Sequence, residues 1–245
     1  MTPTPVGMRC PECSRQRTKV KTAATITRGD TPVVTYVIMG VCVALQLGQM
    51  LTGASAAGGG FGGTSLIQNF ALFGPSVADG EVYRLVSAGF LHSGLFHLLV
   101  NMYSLWILGT LLEPGVGRAR FLLIYFVSLL AGSFGALLVS PHSVTVGASG
   151  AIFGLMSAAV LVMRQRGIDP MQSGLPLWIG INLVFSFAVP GISVGGHIGG
   201  LIGGALAAVA LFELPSRIRA LPSAAGPLLA GVVGVAAVVG SLAVV

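Results

Sequence analysis

Charge is scarce in this chain. Only 8% of its 245 residues are Asp, Glu, Lys or Arg, against 54% hydrophobic, and the mean hydropathy is +0.90. That leaves too little polar surface to cover a water-soluble globule of this size and places the chain in a bilayer. Cysteine is scarce too: Cys10, Cys13 and Cys42 are too few and too unevenly placed for a disulfide framework. Cys10-Pro11-Glu12-Cys13 has the spacing of half a zinc site, but no second half follows, so a reduced, unliganded pair is favoured and no cofactor is expected. Cys42, inside an apolar run, reads as a packing thiol. The seven acids, Glu12, Asp30, Asp79, Glu81, Glu113, Asp169 and Glu213, all fall at the ends of apolar runs or between them. Without an intramembrane carboxylate a proton-coupled transporter or ion pump is disfavoured, and any serine nucleophile must work without the acid of a Ser-His-Asp triad. No internal duplication points to a transporter built of repeated halves either.

What the chain does have is apolar runs of spanning length. They fall at about 32–52, 94–112, 121–140, 147–163, 174–190, 195–212 and 226–245, each close to the roughly 20 residues that cross about 30 Å of hydrocarbon. The expected fold is an all-α, multi-pass integral membrane protein of seven spans. The net charge of +6 could point to nucleic acid, but the basic residues follow the membrane instead. Arg9, Arg15, Arg17, Lys19, Lys21, Arg28, Arg118, Arg120, Arg164, Arg166, Arg217 and Arg219 fall on one side, and only Arg84 on the other. The positive-inside rule then sets the amino terminus in the cytoplasm and the carboxyl terminus outside. Residues 1–31 lack the short apolar core and cleavage site of a secretory leader, so they are expected to stay as a basic cytoplasmic tail without a folded domain. The external segment of about 53–93 carries Phe61, Leu66, Ile67, Phe70, Leu72, Phe73, Val77 and Leu85. So many apolar groups imply a folded segment partly sunk in the interface.

Polar residues inside spans are expensive, so they are the first place to look for function. Ser149 lies in Gly147-Ala148-Ser149-Gly150, near the start of the fourth span, and His197 in Gly195-Gly196-His197-Ile198-Gly199-Gly200, near the start of the sixth. Both spans run inward, which puts serine and histidine at similar depth below the outer surface. Gly150 and Gly154 beside the serine, and Gly200 and Gly204 on the face of His197, allow the backbones to approach closely. The hydroxyl can then reach the imidazole at about 2.6–3.2 Å, the geometry of a nucleophile and its base. The second span, also inward, begins with His92, His97 and Asn101. His97 and Asn101 share one face and could donate to an oxyanion, with the Ser149 backbone N–H as a third donor. Taken singly, a serine or a GxxxG step in a span is more often a packing feature. Three spans of one direction bringing these groups to one level is what makes a site. Residue 151 is alanine, so no G-x-S-x-G elbow is present and a soluble α/β-hydrolase is not indicated.

These residues resemble the rhomboid intramembrane serine proteases over roughly 80–210. Gly147 to Gly150 is similar to the family's Gly-x-Ser-Gly, and His197 to its histidine ahead of closely spaced glycines. His92, His97 and Asn101 are similar to its His, His and Asn pattern, Tyr83-Arg84 to the aromatic-Arg pair of the first external loop, and Glu113-Pro114 through Arg120-Phe121 to the turn after the second span. The resemblance implies an endopeptidase with Ser149 as nucleophile, His197 as base, and His97 and Asn101 as oxyanion stabilisers; His92, Gly147, Gly150, Phe153 and Gly200 support them. Its partners would be transmembrane protein substrates within the bilayer of the cell membrane, and no nucleic acid. It also implies a six-helix catalytic domain over 32–213, a cavity on the outer side, substrate entry near the second and fifth spans, and a mobile cap at about 190–196. Residues 214–245 add a linker and a seventh span. Phe153 stands where many members carry a tyrosine, so it can stack on His197 but offers no hydroxyl. A rhomboid-like protein that binds membrane helices without cutting them is the rival reading, although such a protein need not keep the serine and the histidine.

Overall fold

The computed structural model describes residues 2–4, 7–9, 31–53, 64–218 and 220–245. Cys10 and Cys13 lie outside them, as does Arg219. The chain divides into two compact units, Met1–Thr31 and Pro32–Val245. In the first, β1 (Thr2–Thr4) pairs antiparallel with β2 (Gly7–Arg9), Pro3 opposite Met8. Strands of three residues are too short to show an alternating pattern in the sequence.

The second unit is helical. Its seven long apolar helices are α1 (Val33–Leu51), α5 (Leu95–Val116), α6 (Arg118–Val139), α7 (Ser149–Gln165), α8 (Leu175–Ala188), α9 (Val194–Ala208) and α11 (Ala225–Ala243). A wider turn at Val209–Glu213 continues α9 into the short α10 (Leu214–Arg217). Among the described residues five helices are long and apolar enough to cross a membrane, Val194–Arg217 counted as one; α7 and α8 are shorter. Three short helices, α2 (Ser65–Phe70), α3 (Gly74–Ala78) and α4 (Arg84–Ser87), fold the segment between α1 and α5. They bury Ile67, Leu72, Val77 and Leu85, as the apolar content of that segment demands.

Two boundaries differ from the sequence reading. Helix α5 runs through Pro114 to Val116, so Glu113 lies inside its last turn rather than beyond its end. Its buried carboxylate accepts the backbone N–H groups of Val34 (2.9 Å) and Thr35 (2.8 Å) and the Thr35 hydroxyl (2.7 Å). It therefore caps the first turn of α1, where free amides and the positive helix end favour an anion. Second, the connection before α9 is only Val189–Ser193, and Gly195 and Gly196 are helical. A Cβ on Gly195 would run into the carbonyl of Gly135. Gly195 thus serves close packing of α9 on α6.

The centre of the bundle is a seam of glycine between α6, α7 and α9. A Cβ on Gly200 would collide with the backbone of Gly150, one on Gly204 with that of Gly154, and one on Gly199 with the Ala131 carbonyl. Removing side chains at these crossings lets van der Waals packing act between backbones, which matters in lipid because the solvent is as apolar as the helices. Helix α11 packs against another face of α6, with Gly234 facing Val127 and Leu130, and Gly240 facing Phe134. At one end of the bundle Arg166 donates to the Gly115 carbonyl (2.6 Å), Gln165 to that of Phe212 (2.6 Å), and Arg120 lies over the Phe212 ring. The polar groups of interest gather at the other end.

Candidate active site

Ser149 is the first residue of α7 and His197 the fourth of α9. The segment that delivers Ser149 is fixed by the folded external segment. Leu72 and Thr145 exchange two backbone hydrogen bonds (3.0 and 2.9 Å), the Gly147 N–H donates to Ala88 (3.0 Å), and the Gly74 N–H to Pro141 (2.9 Å). Ser133 on α6 ties the same segment down by donating to the Leu85 carbonyl (2.7 Å). Arg84, itself buried, holds the Ala71 carbonyl (2.8 Å) and pairs with Glu81, and the neighbouring Tyr83 hydroxyl donates to the Asn69 carbonyl (2.9 Å). Gly147 has φ +124, in the left-handed region that favours glycine, and any Cβ there would also strike the His97 ring. The motif needs glycine at that position twice over.

The Ser149 hydroxyl lies 2.7 Å from Nε2 of His197. Phe153, one turn along α7, stacks on the imidazole at 4.2 Å between ring centroids and 18° between planes. The other ring nitrogen, Nδ1, lies 2.5 Å from the hydroxyl of Ser186 on α8. This contact was missed in the sequence, where Ser186 is one small polar residue among Phe and Val.

His97 is oriented by Ser93, whose backbone N–H donates to Nδ1 (3.4 Å) and whose hydroxyl is 3.1 Å from the same atom. With Nδ1 an acceptor, the ring hydrogen sits on Nε2. That edge lies over Gly147, beside the Ser149 hydroxyl. Asn101 is buried one turn below and donates from Nδ2 to the His97 carbonyl (2.8 Å), leaving its second amide hydrogen free. His92 sits edge-on to His97, 5.1 Å between centroids, and the Gln49 side chain donates to its carbonyl (3.2 Å). His92 is buried and supports the ring beside it. The amides of the first turn of α7 have no partner within their own helix, and the positive end of its dipole points into the same space. An activated hydroxyl facing polarised donors is suited to acyl transfer.

Residues 79–214, more than half of the chain, match the Rhomboid domain. The chain belongs to the rhomboid family. It is 38% identical over 200 residues to the rhomboid protease GluP of Bacillus subtilis, covering 80% of this chain and 38% of GluP. With YdcA of the same organism it shares 37% identity over 134 residues, 53% of this chain and 67% of YdcA. With RHOMBOID-like protein 6, mitochondrial, of Arabidopsis thaliana the figure is 37% over 134 residues, 52% of this chain and 43% of the relative. The chain thus spans less than half of GluP and of the plant rhomboid. The matched region of this rhomboid contains every residue of the site described above except Gln49 and the two residues Asn69 and Ala71 that anchor Tyr83 and Arg84, together with Leu72 and Gly74.

Proposed function

We propose that the protein is an intramembrane serine endopeptidase that hydrolyses peptide bonds in or near the transmembrane segments of other membrane proteins. Ser149 attacks the carbonyl carbon while its proton passes to Nε2 of His197. The oxyanion is held by His97, Asn101 and the Ser149 amide. Collapse of the tetrahedral intermediate delivers the proton from His197 to the leaving amine and leaves an acyl-enzyme, which a water activated by the same imidazole then hydrolyses. The observation that carries this reading is the 2.7 Å contact between the hydroxyl and a stacked, oriented imidazole beside two further donor side chains. Phe153 supplies the face for stacking, and the small residues at 147, 150 and 200 let the helices come close enough.

In this reading the arginine-bearing end faces the cytoplasm, seven spans place the carboxyl terminus outside, and the site opens to the outer face of the cell membrane, from which water enters. Residues 32–213 form the catalytic bundle, and 214–245 add the linker and the seventh span. Substrates with small or helix-weakening residues should be cut best, because an intact helix hides its carbonyls in i to i−4 hydrogen bonds. The test is incubation of the purified protein with a panel of single-span substrates, with product masses read by mass spectrometry. Peptide-bond cleavage by the native chain and none by Ser149→Ala supports the reading. Binding of substrates without products overturns it in favour of a non-cleaving helix-binding protein.

A further inference from the structure

A base that accepts at Nε2 must keep its hydrogen on Nδ1, and in a chain with no acid in the site something else has to hold that tautomer. Ser186 is placed to do so. The residue is 2% exposed, and its hydroxyl lies 2.5 Å from Nδ1 of His197 and 2.8 Å from the Asn182 carbonyl one turn back on α8. A hydroxyl has one hydrogen and two lone pairs. If Nδ1 carries the ring hydrogen, it donates to the Ser186 oxygen, and Ser186 donates to Asn182. Every group is then satisfied, and Nε2 is left bare toward Ser149. The opposite tautomer uses the single Ser186 hydrogen on Nδ1 and points an N–H at the nucleophile.

The helix that carries Ser186 is unlike its neighbours. Helix α8 buries only Leu175 and Ser186, while Leu177, Val184, Phe185 and Phe187 face outward. It has 14 residues, about 21 Å of helix, which is shorter than the hydrocarbon it meets. One of the two side chains it buries is thus spent on the imidazole.

We propose that Ser186 is the positioning residue of the general base, fixing the Nδ1–H tautomer of His197, and that the base is correctly set only while α8 is docked. During acylation the proton leaves the Ser149 oxygen for Nε2, and the imidazolium keeps its Nδ1–H on Ser186 until Nε2 gives the proton to the leaving amine. The inference rests on the reading of Ser149 as nucleophile.

The experiment compares native protein, Ser149→Ala, Ser186→Ala and Ser186→Thr, full length in detergent. It reads the rate of labelling by a fluorophosphonate, kcat and KM on a single-span substrate, and the 15N spectrum of histidine-labelled protein, with the His197 signals assigned by their loss in His197→Gln. Native His197 should report a protonated Nδ1 and a bare Nε2. Ser186→Ala should lose about 10- to 100-fold in labelling rate and kcat with KM little changed, the scale of a hydrogen bond to a charged group, and its His197 should no longer report one tautomer. Ser186→Thr, which keeps the hydroxyl, should recover most of the rate. Labelling of Ser186→Ala at the native rate overturns the proposal, as does equal damage in Ala and Thr with an unchanged spectrum. A native Nε2–H tautomer overturns it even if no variant folds. Failure of native protein to label, or labelling that survives Ser149→Ala, instead overturns the nucleophile reading, and the spectrum still decides whether Ser186 sets the tautomer.

Discussion

The α6–α7–α9 seam and helix α8 stand on opposite sides of one histidine and are built in opposite ways. In the seam, glycine backbones lie against each other so closely that a single methyl group at Gly200 or Gly204 would overlap main chain. On α8, Gly180 has nothing within 4 Å of a Cβ placed on it, and large side chains such as Leu177, Val184, Phe185 and Phe187 face outward. The seam fixes Ser149 and His197 in mutual reach because close-packed backbones have few alternative positions. Helix α8 is held by fewer groups, the buried Leu175 and Ser186 and the partly buried Trp178 and Ile179. A site assembled across that boundary takes its geometry from the rigid side and keeps one adjustable contact on the other.

The changes that test this contrast run from the chemistry outward. The largest effect is expected from His197→Ala, which should lower turnover by about four orders of magnitude or more, the scale of losing the base of a serine hydrolase, while melting behaviour stays near native; a residual rate within 100-fold would break the assignment. Asn101→Ala should slow kcat by about 10- to 1000-fold, the range for one oxyanion donor, checked by steady-state kinetics with KM as the control. Gly200→Ala should destabilise by about 1–3 kcal/mol, as overpacking of a tight core does, measured by denaturation in mixed micelles. Gly180→Ala on α8 should be neutral or stabilise by up to about 1 kcal/mol through helix propensity. Equal effects of these two alanines would erase the difference between the regions. The smallest expected effect is Phe153→Tyr, within about threefold in rate, because the ring still stacks on His197; Phe153→Leu should cost about 2- to 10-fold, the range for an aromatic pair.

Much of this was legible in the sequence, for physical reasons that differ by element. Apolar runs must match bilayer thickness, so the seven helices lie within a few residues of where hydropathy puts them, and the glycines at 150, 154, 200 and 204 mark their crossings because only glycine permits such an approach. The juxtaposition of Ser149 and His197 was expected from their places near the starts of two spans read as running the same way, and from the glycines beside them. What was not legible depends on the third dimension. Gly132 and Gly135 of α6 sit in a run that reads simply as apolar, yet they meet Gly150, Gly195 and Gly199. Ser186 is one serine in a Phe-rich segment, where bonding back to the Asn182 carbonyl would account for it, and only the arrival of His197 from another helix gives its hydroxyl a second partner. Glu113 looked like a span terminus because carboxylates are excluded from lipid, but it is buried in protein, where three donors from α1 satisfy it. The pairing of β1 with β2 rests on backbone hydrogen bonds that leave no periodic trace in so short a stretch.

The most direct test of the central claim is peptide mapping of the purified protein after reaction with a fluorophosphonate. One adduct is expected, on the peptide containing Ser149, absent from both Ser149→Ala and His197→Ala. An adduct on another serine, or undiminished modification in His197→Ala, would contradict it.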